Sequence, residues 1–251
     1  MPTYAVRAPL ASWLRTQARE AHAALGPYRL LDIGCGEKPY EPLFTPYVSS
    51  YVGVDPVENP KADIRGAAEA LPLEDASADV TICIQVLEHV DDPAAVVREL
   101  YRVTAPGGRV LLSTHGVMVY HPAPVDLWRW THEGLGRLFA DAGEWDSVSV
   151  TPSSGTTACL AMLTSIYIDH VFRRIHLGRL MPPVVSVVNR AAGAILRLSC
   201  SSGLRGSPFT LTPGHFQCSA TATICSPANP FPKAIPTRCA TASPTRSSIA
   251  T

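Results

Sequence analysis

Apolar positions along this chain change period repeatedly. Near-continuous apolar runs stand at 29–34, Tyr51–Asp55, Asp79–Ile84 and Arg109–Thr114, with a weaker one at Asp146–Val150. Between them apolar residues recur at helical spacing. Val6, Leu10, Trp13, Leu14 and Leu25 among Ala and Arg predict one or two amphipathic helices over 5–25. Asp92-Pro93 is an N-cap with proline at the first helical position, and Val96, Val97, Leu100 and Val103 follow at the spacing of one helix face. Pro106-Gly107-Gly108 should close that helix, and 131–142 predicts another that ends at Gly143. Pro39 suits a first helical position, while Pro42 and Pro46 keep the helix after the first strand short. Strands that alternate with helices and are apolar on both faces predict an α/β fold with a doubly wound, mostly parallel sheet. Ligands of such sheets bind beyond the carboxyl ends of the strands.

The pattern changes after residue 155. Residues 156–200 are apolar and basic, broken at Pro182-Pro183, and predict two or three helices. The expected role is a helical cap on the domain or a substrate-side element. A face with Arg173, Arg174 and Arg179 would also suit an anionic membrane surface. Residues 201–251 hold 16 Ser or Thr, seven Pro and no acid, which predicts a low-order tail. The best strand candidate there is a weak run at Ala220–Cys225. A shifted reading frame from near Cys200 would produce such a composition, and the sheet would then lack an edge partner. The organisation expected is an α/β domain at 1–155 with N-terminal helices, the helical segment at 156–200 and the tail at 201–251.

Charge sharpens that division. The 251 residues carry no net charge, but all 21 acids lie at or before Asp169, against 12 Lys and Arg, a net of −9. Residues 170–251 carry nine Lys and Arg and no acid, a net of +9. Seven cysteines with no CxxC pair read as reduced thiols of a cytoplasmic protein. No metal-ligand spacing is visible. Arg7, Arg15, Arg19 and Glu20 interrupt any apolar leader.

The chemistry begins at "LLDIGCGEKPY", Leu30–Tyr40, where a strand breaks at Gly34 and Gly36. A dinucleotide fingerprint needs a third glycine where Pro39 stands, which argues against a nicotinamide oxidoreductase, and the lysine-bearing phosphate loop is absent. Asp55 ends the next strand, 19 residues beyond Gly36. A carboxylate there can accept both hydroxyls of a ribose. The ligand implied is a nucleoside without a pyrophosphate.

With these residues, "YVGVDP", "AEALPLEDASADV", "QVLEHVDDP" and "LYRVTAPGGRVLLST" follow in order, and residues 28–143 resemble a class I S-adenosylmethionine-dependent methyltransferase of the small-molecule "type 11" kind. The resemblance implies a Rossmann-like, seven-stranded sheet and S-adenosyl-L-methionine as cofactor. It implies that Asp32, Gly34, Cys35 and Gly36 hold the methionine end, Asp55 the ribose, and Pro56, Ala68 and Glu69 the adenine edge. Gln85 would stand near the transferable methyl. Ala67 replaces an acid that many relatives place before the Ala-Glu pair, so backbone contacts would serve the adenine amine. Asp32 capping a turn and Asp55 merely ending its strand are the plain alternatives.

The acceptor side is less determined. His89, His115 and His121 are the candidate general bases for a hydroxyl acceptor. Glu88 and His89 could equally fix a loop and helix start. The segment "HGVMVYHPAPVDLWRWTHEGL" follows the last predicted parallel strand. Tyr120, Asp126, Trp128 and Arg129 are the acceptor-pocket candidates there; the plain alternative pairs Asp126 with Arg129 and packs Trp128 and Trp130. The Asn/Asp-Pro-Pro-aromatic tetrapeptide of nucleic-acid amino methylation is replaced by "IQVLEH". The expected partner is therefore a small-molecule acceptor, such as a sugar or lipid-linked glycan hydroxyl, and no nucleic acid. The runner-up is a methyltransferase-fold binding or scaffold protein without activity.

Overall fold

The computed structural model describes residues 4–120, 124–153, 156–175, 187 and 219–225. The chain runs α1 (Tyr4–Leu25), β1 (Tyr28–Ile33), α2 (Glu41–Phe44), β2 (Val48–Asp55), β3 (Ile64–Arg65) and β4 (Ala78–Ile84). It continues through α3 (Pro93–Val103), β5 (Thr104–His115), α4 (His132–Ala142), β6 (Ser147–Pro152), α5 (Thr156–Arg174) and β7 (Ser219–Cys225). The expected doubly wound sheet forms, with seven strands in the order β3-β2-β1-β4-β5-β7-β6. Strands β1 to β5 pair in parallel, and β7 runs antiparallel to both β5 and β6.

Each central strand is buried on both faces because alternate residues serve two cores. Leu30, Ile82 and Leu111 pack with Leu10, Leu14, Ala18 and Ala21 of α1 and Phe44 of α2. Leu31, Cys83 and Leu112 point the other way, into Val96, Val97, Leu100, Leu135 and Phe139 of α3 and α4. That division explains the near-continuous apolar runs. Asp92 caps α3 by accepting the Ala95 N–H at 3.0 Å, and Thr131 caps α4 by accepting that of Gly134 at 3.1 Å. Strand order reverses between β1 and β4, so the carboxyl ends of these two strands flank the natural binding crevice.

Several expectations change. The short helix after the glycines starts at Glu41, behind Tyr40 as N-cap, with Pro42 rather than Pro39 in its first turn. Helix α3 already ends at Val103, and Thr104 turns extended. Pro106-Gly107-Gly108 therefore lie inside β5, at a bulge where pairing jumps from Thr104 with Ala78 to Arg109 with Val80. The two-residue strand β3 had no periodicity to announce it. Residues 5–25 form one helix, not two.

The weak run at Ala220–Cys225 forms β7. Seven residues of the expected low-order tail fill the gap between β5 and β6, with Ile224 fully buried. The sheet has no missing partner there. The rest of 201–251 and most of 176–200 lie outside the described residues. Helix α5 packs on α1, and its buried Cys159 and Met162 meet Val117 and Met118 beyond β5. Among the described residues no helix is long and apolar enough to cross a membrane.

Candidate functional site

The glycine loop is held by the end of β2. The Gly34 and Cys35 N–H groups donate to the Val54 carbonyl at 2.8 and 3.1 Å, and the Gly36 N–H donates to Asp55 Oδ2 at 3.0 Å. Asp55 Oδ1 accepts the Val57 N–H at 3.0 Å, and Asn59 Nδ2 donates to the Gly36 carbonyl at 2.7 Å. Gly34 and Gly36 have φ of 68° and 48°, in the left-handed region. A Cβ on Gly34 would meet Val86 Cγ2 at 2.4 Å, whereas a Cβ on Gly36 would meet nothing within 4 Å. The loop is thus packed at its base and open at its crest, beside the Asp55 carboxylate. A nucleoside cofactor fits that opening: hydroxyl donors suit the carboxylate, and a residue without a side chain leaves the space.

Beneath the loop, Asp32 is buried and accepts the Tyr51 hydroxyl at 2.5 Å. Burial pushes its carboxyl up to about 7, against the opposing pull of Tyr51 and Lys38. Lys38 pairs with Asp63 at 2.6 Å, and Asp63 also accepts the Gly53 N–H at 2.7 Å. Cys35 is a buried free thiol, pushed up to about 11 chiefly by burial. Lys38, Tyr51, Asn59 and Asp63 were missed in the sequence, where only the tyrosine carried even a strand signal.

Ala68 is buried in the turn after β3, and Gly66 N–H donates to the Asp55 carbonyl at 3.1 Å. The turn that carries Ala68 is thus tied to the end of β2 through Gly66. Pro56 is exposed, and its carbonyl accepts Arg65 Nε at 3.4 Å. Glu69 Oε1 accepts the Asp91 N–H at 3.2 Å. Across the switch point, Gln85 has φ of 60°, unusual for a residue with a side chain. Its N–H donates to the Ser113 carbonyl at 2.8 Å, and its Nε2 to the Ser113 hydroxyl at 2.6 Å.

The acceptor-side candidates gather at the end of β5. His115 is buried, with Nε2 at 3.3 Å from Oε1 of the fully buried Glu88. Glu88 Oε2 accepts the Thr114 hydroxyl at 2.8 Å, and its carbonyl accepts the N–H groups of Leu127 and Trp128. His89 Nδ1 contacts the Val125 carbonyl, and Trp128 Nε1 donates to the Val90 carbonyl at 2.8 Å. Asp126 and Arg129 form a two-pronged pair at 2.5 and 2.6 Å, and Trp128 stacks on Trp130 with centroids 5.9 Å apart. The plain alternative holds for the Asp126–Arg129 pair, and of the two tryptophans Trp130 packs against the core while Trp128 is exposed. Tyr120 is 74% exposed. His121 lies outside the described residues. Among the described residues no group of three or more His, Cys, Asp or Glu is placed to hold a metal ion.

Comparison with known proteins places the chain in a family. The sequence pattern of a family described as "Methyltransferase domain" matches residues 7–145. A "Probable S-adenosylmethionine-dependent methyltransferase" of Mycolicibacterium smegmatis is 38% identical over 114 residues, 41% of this chain and 44% of that protein. A ubiquinone biosynthesis O-methyltransferase of Pseudomonas aeruginosa is 34% identical over 119 residues, 40% of this chain and 50% of that protein. The chain spans about half the length of these curated relatives. Among solved structures, the [4+2]-cyclase SpnF has a TM-score of 0.52 at 18% identity, covering 86% of this chain and 81% of that one. That likeness speaks for the fold alone.

Proposed function

This chain belongs to the methyltransferase-domain family, whose cofactor is S-adenosylmethionine, and on that premise we propose that it transfers a methyl group to a hydroxyl of a small molecule. One observation carries the reading: the crest of the glycine loop is open in front of Gly36 and fastened to the Asp55 carboxylate. When bound, the cofactor supplies an electrophilic methyl on a sulfonium. The protein's share is to position and to exclude water. Asp55 binds the ribose hydroxyls; Asp32, Gly34, Cys35 and Gly36 line the methionine end; Pro56, Ala68 and Glu69 form the adenine edge; Gln85 faces the reacting methyl. His89 and His115 are the described candidates for the proton acceptor: His89 Nδ1 contacts the Val125 carbonyl, and His115 Nε2 lies 3.3 Å from Glu88 Oε1. His121 keeps its place as a candidate from sequence.

The acceptor reading rests on the loop after β5. Val119, Tyr120, Val125, Leu127 and Trp128 are all exposed large apolar residues there. They support an acceptor with an apolar portion, such as a lipid-linked glycan, and the O-methyltransferase named among the relatives supports oxygen as the attacking atom. Leu160 and Tyr167 on α5 and Ile175 just beyond it are exposed, and the helix's last turn carries Arg173 and Arg174. That face would hold a cytoplasmic protein against an anionic membrane. Sedimentation with anionic vesicles tests it; recovery in the supernatant at low salt would count against it.

Calorimetry with S-adenosylhomocysteine tests the main reading. Binding to the full chain, lost in Asp55→Ala, is expected. A folded protein that does not bind, or an Asp55→Ala variant that binds equally well, would refute it. Methyl transfer to an acceptor panel then separates the enzyme from the inactive binding module, which no contact in this site favours.

A further inference from the structure

We propose that Glu99 and Arg102 of α3 are positioning residues for the cofactor, which hold the main chain of the adenine edge in the place where it reads the base. The proposal rests on the reading above that Ala68 and Glu69 form that edge. Ala67 offers no side-chain acceptor to the adenine amine, so recognition falls to main-chain groups. A side chain can find its partner by changing rotamer, whereas a main-chain group is only as well placed as the segment that carries it.

The segment from Gly66 to Ser77 joins β3 to β4 without a helix. Helix α3 grips it from both of its own ends. Just before the helix, the Asp91 N–H donates to Glu69 Oε1 at 3.2 Å. Towards its C-terminus, Glu99 Oε2 accepts the Leu71 N–H at 2.7 Å, one residue after the turn that the Ala70 N–H closes on the Ala67 carbonyl at 3.2 Å. Arg102 directs its fork at the same stretch. Its Nη2 donates to the Leu71 carbonyl at 3.1 Å, and its Nη1 to the Leu73 carbonyl at 2.7 Å and to Asp75 Oδ1 at 2.8 Å. Two further bonds join it to Glu99, Nε to Oε1 at 2.8 Å and Nη2 to Oε2 at 2.7 Å. The Arg102 carbonyl accepts the Ala76 N–H at 2.9 Å.

This is more than a surface ion pair. Arg102 holds the Glu99 carboxyl below the usual carboxylate range, so both groups stay charged. A planar guanidinium presents its donors in fixed directions, and the carbonyls and carboxylates that share it are locked relative to one another. The entry to the segment is closed as well. The Gly66 N–H donates to the Asp55 carbonyl at 3.1 Å, and a Cβ on Gly66 would lie 2.6 Å from Pro72 Cδ. The turn with Ala68 and Glu69 therefore stands between a fixed entry and a fixed exit. Freeing the exit returns conformations to the turn that the cofactor must remove on binding.

The test compares S-adenosylhomocysteine with S-inosylhomocysteine, which has a carbonyl oxygen where adenine has its amine, by calorimetry on the full chain. The native protein should bind the adenosyl compound about tenfold or more tightly. In Arg102→Met that preference should shrink by about threefold or more. A merely structural role would weaken both ligands alike, and an unchanged preference in a folded Arg102→Met overturns the proposal. So does a native protein that binds both ligands equally, which leaves the cofactor reading standing. Should Arg102→Met not fold, Arg102→Lys, which keeps the charge and the apolar stem but not the fork, decides by the same ratio. A native protein that binds no S-adenosylhomocysteine would remove the reading itself, and the proposal with it.

Discussion

Ile224 offers the sharpest test of the fold, because it sits in a segment whose composition looks unstructured. It is fully buried and pairs with Val110 of β5 on one side and Val148 of β6 on the other. Leu135 and Phe139 of α4 belong to the same cluster. Ile224→Ala removes buried methyl and methylene groups and leaves a cavity. Such core truncations cost ~2–5 kcal/mol, with the spread set by how well the site collapses. Here β7 is gripped along both edges and cannot slide inward, so the cost should fall near ~3–4 kcal/mol. With a urea slope of about 2 kcal/mol/M, the midpoint should drop by roughly 1.5–2 M. Urea titrations followed by tryptophan fluorescence read this directly. A change below about 0.5 kcal/mol, the size of an ordinary surface substitution, would refute the placement of β7.

Further outcomes follow from other parts of the molecule. A chain stopped after Cys200 should be far less stable than the full chain and prone to aggregation, because β5 and β6 lose their shared partner; equal thermal melts would contradict this. Gly34→Ala should destabilise the fold by at least ~1–2 kcal/mol from its left-handed backbone, with a further cost from the Val86 contact. Gly36→Ala carries the backbone cost without a clash, yet should weaken S-adenosylhomocysteine binding tenfold or more; unchanged affinity in calorimetry would show that the open crest is not ligand space. Asp32 should make stability fall as pH rises. Its folded carboxyl is raised to about 7, so its contribution is full below the unfolded value of about 3.9 and is lost as pH climbs through 7. Between pH 5 and 7 the native protein should lose about 1.4 kcal/mol per pH unit relative to Asp32→Asn, and a constant difference in melts would refute it.

The extent to which the sequence was legible follows the range of the forces involved. Strands β1, β2, β4 and β5 and helices α3 and α4 showed in local periodicity, and caps such as Asp92 and Thr131 act within one turn. Gly34, Gly36 and Asp55 were legible because a strand, a tight turn and a second strand end impose fixed spacings. The bland composition around Ser219–Cys225 left β7 only a weak signal at Ala220–Cys225. Its strand character comes from β5 and β6, which supply partners for both edges of its backbone. The support of the glycine loop by Asn59 and Lys38 was invisible for a related reason, since neither spacing nor pattern links them to it.

What the sequence determined alone is the doubly wound frame and the glycine loop set against the end of the next strand, for these rest on short-range backbone geometry and alternating burial. Tertiary structure alone decided that β7 lies between β5 and β6, that the Glu88 carbonyl holds Leu127 and Trp128, and that Glu88 lies beside His115. These juxtapositions arise where separate strand ends and loops converge at one edge of the sheet. Local periodicity records which face of an element is buried, but not which distant side chain it will meet there.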